Sequence, residues 1–551
     1  MILPKRVVYC LLVALTMANV VFRYPLDVQH ELGADTTFIH TLAVGIIETG
    51  NGAWILHPLS YFGLYALSYP SAVPFTLAST TLTAGLPIEG AMLLFGWIIA
   101  TAGGFGAYLA ARTIRRDDLF AFTVAVLFSL TPFYLKDTFW VGSSRGFVVG
   151  LVPVFLFLLV KHLLTGRFRF FALAVVLIVL LSSIHRMGVL TFFVLLAYLF
   201  AIPFHKVTQR LRFALARYER PSRYFLFFAG LMGFVATFYI QFAYPGIAGA
   251  SLVDQYGQGV FQGSSFQVVL ANMGLSLAGK IGPLIPLAVV GLVSSTWRRP
   301  KEASDKFILT VVFLFLPLLP LRDYIAEFLI LFFAMLLVFG LLSIRNIRPE
   351  RRKLASLLII TLLFASLATS WVMKDYWRER YSTDAEIPDH TYSTGVYVAH
   401  QSSGSLLAND GTLGGQLAAV SGRPVLPLGG PSLHWTSPQQ LIWNFVDPAG
   451  VSVRSLDVFT ISFNTDSIFV PVNIRNAEFD WEAILFYTTP DVAKQNMQYY
   501  DVHYVVVDKR IPLEFQSYGY DRPSGLLVLV ADSDYKTYDS MRQSIWFAQL
   551  G

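Results

Sequence analysis

Residues 33–50 read GADTTFIHTLAVGIIETG. The stretch is amphipathic in an unusual way. Phe38, Ile39, Leu42 and Ile46 recur at helical spacing. Asp35, His40 and Glu48 are interleaved with them, and WILHPLSYFGLYALSYPSAVP follows directly. Upstream, Asp27, His30 and Glu31 add three more ionisable groups. Acids and histidines among apolar and aromatic side chains belong at the edge of a bilayer. The rest of the chain decides which edge.

Of the 551 residues, 55% are apolar and only 14% charged, and mean hydropathy is +0.57. Soluble domains run nearer a quarter charged, so this is a membrane-protein composition. Aromatics, at 15%, suit interfacial anchoring. The lone cysteine, Cys10, lies inside an apolar run, which excludes an internal disulfide and a thiolate metal site.

Lys5 and Arg6 precede an apolar run from Val7 to Phe22 that reads as a retained first membrane helix. Further runs lie near 88–111, 119–135, 146–160, 170–184, 188–204, 224–243, 281–297, 307–321, 326–344 and 354–372. Each is close to the length that crosses hydrocarbon. The expected fold class is therefore a polytopic α-helical membrane protein of about eleven transmembrane helices.

With the N-terminus in the cytoplasm, every inner loop is basic. The longest holds Lys206, Arg210, Arg212, Arg217, Arg220 and Arg223, and the last Arg345, Arg348, Arg351, Arg352 and Lys353. Before residue 373 the outer side holds only Arg23, Lys136, Arg145, Arg186, Lys280 and Arg322. That asymmetry follows the positive-inside rule. The inner cations read as an orientation signal and a contact for membrane lipids, with no nucleic-acid partner.

The division expected is a membrane domain over 1–372, with a first outer loop at 24–87, and an extracytoplasmic C-terminal α/β domain over 373–551. In that tail, 451–472 (VSVRSLDVFTISFNTDSIFVPV), 499–510 and 525–532 have strand patterns.

Ionisable residues at a membrane edge are costly to bury and are candidates for function. The outer face supplies Asp35, His40, Glu48 and His57 in the first loop, then Lys136, Asp137 and Arg145 in LKDTFWVGSSRGF. His185 and Arg186 follow in SSIHRMG, and Arg322, Asp323 and Glu327 in PLRDYIAEF. Carboxylates hold hard cations such as Mg²⁺ or Mn²⁺ or act as bases, and Asp35 and Asp137 are the metal-ligand candidates. Arginine forks match phosphate oxygens. Such a set suits a lipid-phosphate substrate. Blander readings stand beside it: Asp35 as a helix cap, Lys136–Asp137 as a surface pair, the arginines as snorkelling anchors.

The arrangement resembles the type-C glycosyltransferases, and within them archaeal relatives of the oligosaccharyltransferase catalytic subunit. In the first loop, GADTTFIHTLAVGIIETG is similar to that family's acid, helix and glycine, which carries the acidic role to Asp35. KDTFWVGSSRGF carries the second acid to Asp137 and an arginine to Arg145. In the tail, SLLANDGTLGGQLAAVSGRPVLPLGG (405–430) is similar to the segment around the WWDYG signature, with Asp410 on its Asp in one register and, in a second that puts Gly414 on its Gly, Thr412 in place of the Asp. Both tryptophans and the tyrosine of that signature are replaced here.

The resemblance implies a glycosyltransferase that uses a polyprenyl-phosphate (dolichol-type) sugar donor and an extracytoplasmic acceptor, whether protein, lipid or glycan. Asp35 and Asp137 would be catalytic. Arg145, His185, Arg186, Arg322, Asp323, His57 and Asp410 would bind substrate. The Gly-, Ser- and Gln-rich stretch 244–280 is expected to be a lid. Two other readings remain at this stage: a transporter of lipid-linked glycans, and a non-catalytic homologue. The first expects charges at mid-membrane and repeated, broken helices, whereas the interior runs here are nearly free of charge and no repeat appears.

Overall fold

A computed structural model describes residues 3–26, 28–49, 72–210, 219–244, 252–257, 260–297, 303–321, 323–345, 357, 360–372, 387–400, 404–408, 411–423, 425–426, 451–453, 469–471, 502–508, 527–529 and 543–548. His57, Arg322 and Asp410 lie outside them, as do the side chains of Glu48, Arg186 and Asp323.

In chain order the helices are α1 (Lys5–Val21), α2 (Ala34–Thr49), α3 (Ala72–Ala84), α4 (Ile88–Ile114), α5 (Asp118–Ser129), α6 (Pro132–Lys136), α7 (Ser144–Thr165), α8 (Phe168–Ile184), α9 (Leu190–Arg210), α10 (Glu219–Ala243), α11 (Leu252–Tyr256), α12 (Phe266–Ile281), α13 (Ile285–Trp297), α14 (Ala303–Phe315), α15 (Asp323–Phe328), α16 (Ile330–Arg345), α17 (Ile360–Val372), α18 (Asp389–Ala399) and α19 (Gly411–Ser421). Strands are β1 (Ser405–Ala408), β2 (Val425–Leu426), β3 (Val451–Val453), β4 (Phe469–Pro471), β5 (Val502–Asp508), β6 (Leu527–Leu529) and β7 (Gln543–Ala548).

The chain divides into two compact units. The first comprises Met1–Tyr24, Phe95–Phe139 and Ser144–Arg380. The second comprises Pro25–Leu94, Trp140–Ser143 and Tyr381–Gly551.

The first unit is helical, and its exposed faces are apolar. On α8, Leu173, Val176 and Val179 are exposed, and on α9 Leu196 and Phe200. Water does not favour such surfaces on this scale, whereas hydrocarbon does. Among the described residues, α4 and α7 are each long and apolar enough to cross a bilayer, and so is α12 taken with α13.

Several apolar runs that read as continuous are broken for local reasons. The run 119–135 stops at Ser129 and restarts at Pro132, where the missing N–H is tolerated in a first turn. The run 307–321 passes into a 3₁₀ turn at Leu316–Leu318, around Pro317. The run 281–297 begins only at Ile285. Gly282 (φ +109°) and Pro283 turn the chain there, and α12 meets α13 at 93°. Residues 266–280, expected within a lid, are thus helix, as is Leu252–Tyr256.

Small residues set the close helix contacts. A Cβ on Gly291 of α13 would collide with the Leu336 carbonyl of α16, and one on Gly340 with the Leu287 carbonyl. The backbones therefore touch, and Ser294 and Ser343 hydrogen bond across at 2.6 Å. Glycine crossings of this kind are how membrane helices associate without a hydrophobic driving force.

The second unit is α/β. Its mixed sheet has the order β2-β1-β5-β7-β6, with β1 parallel to β2 and β5 and with β7 antiparallel to β5 and β6. Strands β3 and β4 form a separate antiparallel pair, and most of the intervening stretch that read as strands lies outside the described residues. Leu406, Ala408, Tyr504 and Val506 of the sheet pack against Val398 of α18 and Leu413 and Leu417 of α19. Helix α19 also packs on α2, and a Cβ on Gly415 would lie 3.9 Å from Thr37 Oγ1. The segment with the altered signature therefore rests against the helix that begins with Asp35.

Candidate functional site

The first unit brings together three of the sequence-derived candidates. Asp137 caps the short α6 and is 1% exposed. Two glycines let other helices press on its backbone. A Cβ on Gly146 of α7 would overlap the Asp137 carbonyl, and one on Gly96 of α4 would lie 2.8 Å from the Thr138 carbonyl oxygen. Arg145, in the first turn of α7, places Nε 3.9 Å from Asp137 Oδ2. Its guanidinium stands 5.9 Å from the centroid of Tyr324, one residue into α15.

His185 meets the same ring edge-on, 5.6 Å between centroids. It is buried, and its Nδ1 accepts from Met187 N at 3.0 Å. A ring nitrogen that accepts here leaves the N–H on Nε2 of a neutral imidazole. One helical turn beyond Tyr324, Glu327, which is buried, pairs with the partly buried Lys280 of α12 at 3.2 Å. Arg186 follows His185 and Asp323 precedes Tyr324 in the chain, so the backbone carries both candidates to this cluster.

Arg23 stabilises the corner from behind. It is fully buried, its Nε donates to Thr138 Oγ1 at 2.6 Å, Nη1 to Asn19 Oδ1 at 2.9 Å, and Nη2 to the Ser129 carbonyl at 2.9 Å. Its guanidinium lies 5.2 Å over the Tyr134 ring. These contacts clasp residues 129–138, the corner that ends in Asp137. In the sequence Arg23 is only a cation after the first helix, and Tyr324 only an aromatic near an interface. Nothing in their spacing marks either one.

The second unit holds the other principal candidate. Asp35 is exposed in the first turn of α2, where a carboxylate is favoured by the helix dipole. Gly33, at φ +92°, turns the chain into this helix, and its carbonyl accepts from Thr36 N and Thr37 N. Thr36 Oγ1 accepts from Gly142 N at 2.9 Å, and the Trp140 carbonyl accepts from Leu32 N at 3.2 Å. Trp140 itself has φ +47°, costly for a bulky residue at about 1–3 kcal/mol. Its indole N–H donates to the Glu89 carbonyl at 2.9 Å, which helps to hold it there.

Below Asp35 lies a buried ionisable pair. Glu31 is wholly buried and presents both carboxylate oxygens to Nδ1 of His40 at 2.8 Å. Burial pushes the Glu31 carboxyl above its ordinary range, partly offset by His40. For His40, burial works downward, but the Glu31 carboxylate and its hydrogen bond outweigh it, and the imidazole titrates above its ordinary value. His30 lies 3.6 Å from Glu89 and 3.8 Å from Asp389, and stacks on Tyr392 at 3.8 Å.

Among the described residues, no three His, Cys, Asp or Glu side chains gather as a metal site. Asp137 has Arg145 as its neighbouring charge instead.

No protein-family model matches the chain, and no curated protein matches its sequence. Solved structures do match its fold. The Archaeoglobus fulgidus oligosaccharyltransferase tethered to an acceptor peptide containing the NVT sequon superposes with a TM-score of 0.54 at 12% identity, over 92% of this chain and 69% of that one. The same enzyme in complex with Zn and sulfate gives 0.53 at 13% identity, over 90% and 68%. ArnT from Cupriavidus metallidurans in the apo state gives 0.51 at 11% identity, over 98% and 97%. The chain has the fold of the type-C membrane glycosyltransferases, as its sequence pattern implies.

Proposed function

We propose that this chain is an integral-membrane glycosyltransferase that moves a sugar or oligosaccharide from a polyprenyl-phosphate donor to an acceptor on the outer face. The observation that carries this reading is the convergence of Asp137, Arg145 and His185 around Tyr324 within a type-C fold. Solved structures of that fold support a lipid-phosphate donor. ArnT has been solved bound to undecaprenyl phosphate, with a TM-score of 0.50. The A. fulgidus enzyme has been solved with an inhibitory peptide and a dolichol-phosphate, also at 0.50.

In the proposed topology the N-terminus is cytoplasmic and the chain crosses the membrane about eleven times. The membrane domain covers 1–372, and the extracytoplasmic C-terminal domain covers 373–551. Arg145, with Arg186 and Arg322, holds the donor phosphate and stabilises the charge it gains as the glycosidic bond breaks. Preorganised cations act there without the reorganisation that water would need. Asp137 keeps the Arg145 fork oriented and serves as the second acid. Asp35 is the proposed base or metal ligand for the incoming nucleophile. His57, Asp323 and Asp410 are proposed contacts to donor or acceptor.

The test is mass spectrometry of surface and lipid-linked glycans with and without the gene, complemented by wild type, Asp35→Ala, Asp137→Asn or Arg145→Gln. Loss of a glycan on deletion, restored by wild type alone, is the expected result. A deletion that alters no glycan overturns the proposal. Full restoration by all three variants removes the assigned residues.

A further inference from the structure

Within the second unit, Glu31 and His40 have the geometry of a carboxylate–imidazole couple. Both carboxylate oxygens lie 2.8 Å from Nδ1, so the proton on that nitrogen is shared between them and the ring cannot turn. That grip puts the N–H on Nδ1 and the lone pair on Nε2. Nε2 has no hydrogen-bond partner among the described residues, and it is not among the sealed polar atoms either. The His40 side chain keeps 9% of its surface exposed, against 0% for Glu31.

The charged and titratable groups around the couple are Glu89 and His30, with Asp389 and Tyr392 beyond His30. Helices α3 and α19 pack on α2 and carry no titratable side chain. A buried carboxylate that orients an imidazole and offsets the charge it gains is the arrangement that makes histidine a general base.

The geometry points to Glu31–His40 as a proton-accepting couple for a hydroxyl-bearing acceptor. This rests on the sugar-transfer reading and refines it. The acceptor O–H gives its proton to Nε2 as the new bond forms from that oxygen to the anomeric carbon. The bond from that carbon to the phosphate oxygen breaks, and its electron pair leaves with the lipid phosphate. The proton stays on the imidazolium, balanced by Glu31, until water removes it. Asp35 lies five residues earlier, about 140° around the helix at 3.6 residues per turn. The two side chains therefore leave the helix in different directions and can be tested apart; with the proton on His40, the role left to Asp35 is that of a ligand.

His40→Asn keeps an N–H toward Glu31 and deletes Nε2. Glu31→Gln keeps an oxygen acceptor and deletes the charge. The assay is transfer from a synthetic polyprenyl-phosphate hexose to an octyl glycoside by the full-length chain in proteoliposomes. His40→Asn is expected to lower kcat by roughly 10²–10⁴-fold with donor KM unchanged. Glu31→Gln is expected to move the acid limb of the kcat/KM profile to lower pH. Wild-type turnover in His40→Asn, with turnover abolished in Asp35→Asn, overturns the couple and leaves the transferase reading intact.

A second measurement does not depend on turnover. Diethylpyrocarbonate is expected to carbethoxylate Nε2 of His40 in the wild type, as read by peptide mass spectrometry. Donor release that is absent in the wild type counts against the transferase reading, while His40 left unmodified overturns the couple.

Discussion

Arg145 holds Nε 3.9 Å from Oδ2 of Asp137, and it is the more exposed partner, at 26% against 2%. The pair lies between two regimes: exposed ion pairs contribute almost nothing, whereas breaking a buried one leaves an uncompensated charge. Arg145→Gln is therefore expected to cost about 1–3 kcal/mol. Arg145→Lys keeps the charge but loses the fork, and should recover part of that stability and little of the donor affinity. Thermal unfolding of the purified protein and donor titration check the two separately. An Arg145→Gln protein as stable as wild type would mean that Asp137 is compensated elsewhere.

Arg23 is a different case, because its contacts are to neutral groups: a hydroxyl, an amide oxygen, a carbonyl and a ring. Arg23→Met of similar length leaves buried acceptors on Asn19, Ser129 and Thr138 with fewer donors. Unmet buried polar groups cost about 1–3 kcal/mol each. The expected result is a large drop in melting temperature, with Thr138→Val, which removes one acceptor, falling by less. Equal losses in the two variants would show that the guanidinium acts through Thr138 alone.

Gly146→Ala reverses the usual helix expectation. Alanine is favoured over glycine in a helix interior by about 1 kcal/mol. Here its Cβ would overlap the Asp137 carbonyl. Destabilisation of about 1–3 kcal/mol is expected from the forced backbone shift. Gly45→Ala on α2 is the control, since nothing lies within 4 Å of its Cβ. The prediction fails if the two variants unfold at the same temperature.

The Glu31–His40 couple predicts a direction with pH. Both groups titrate higher in the fold than outside it. A raised folded value means that the fold holds the proton more tightly. Their contribution to stability is then complete below the ordinary carboxyl and imidazole values, and is lost as pH rises through the raised ones. Unfolding followed from about pH 6 to pH 9 should show wild type losing stability toward alkali. A wild-type curve flat through that range contradicts the assignment.

What could be read from the chain alone was set by periodicity and charge. Hydrocarbon favours apolar helices, so the apolar runs were legible without any contact information. The helix at 34–49, with Asp35 in its first turn, was legible because the spacing of Phe38, Ile39, Leu42 and Ile46 is local. The pairing of Asp137 with Arg145 was not: the sequence offered Lys136 as the neighbour of Asp137. The resemblance to type-C transferases pointed to the fold that the superposed structures share.

Only the tertiary structure decided the partners that come from far away in the chain. Tyr324 joins Arg145 and His185, Arg23 reaches Thr138, and Glu89 stands by Glu31, each across a long stretch of sequence. Glu31 and His40 are nine residues apart, with Gly33 turning the chain between them. No period in the sequence announces that meeting. The breaks at Pro132, Pro317 and Gly282 lie within apolar runs that hydropathy counts as continuous, because hydropathy does not register a missing N–H or a positive φ. Helix periodicity is a property of neighbours along the chain, whereas a buried pair depends on which backbones can approach, and here glycines at 96 and 146 decide that.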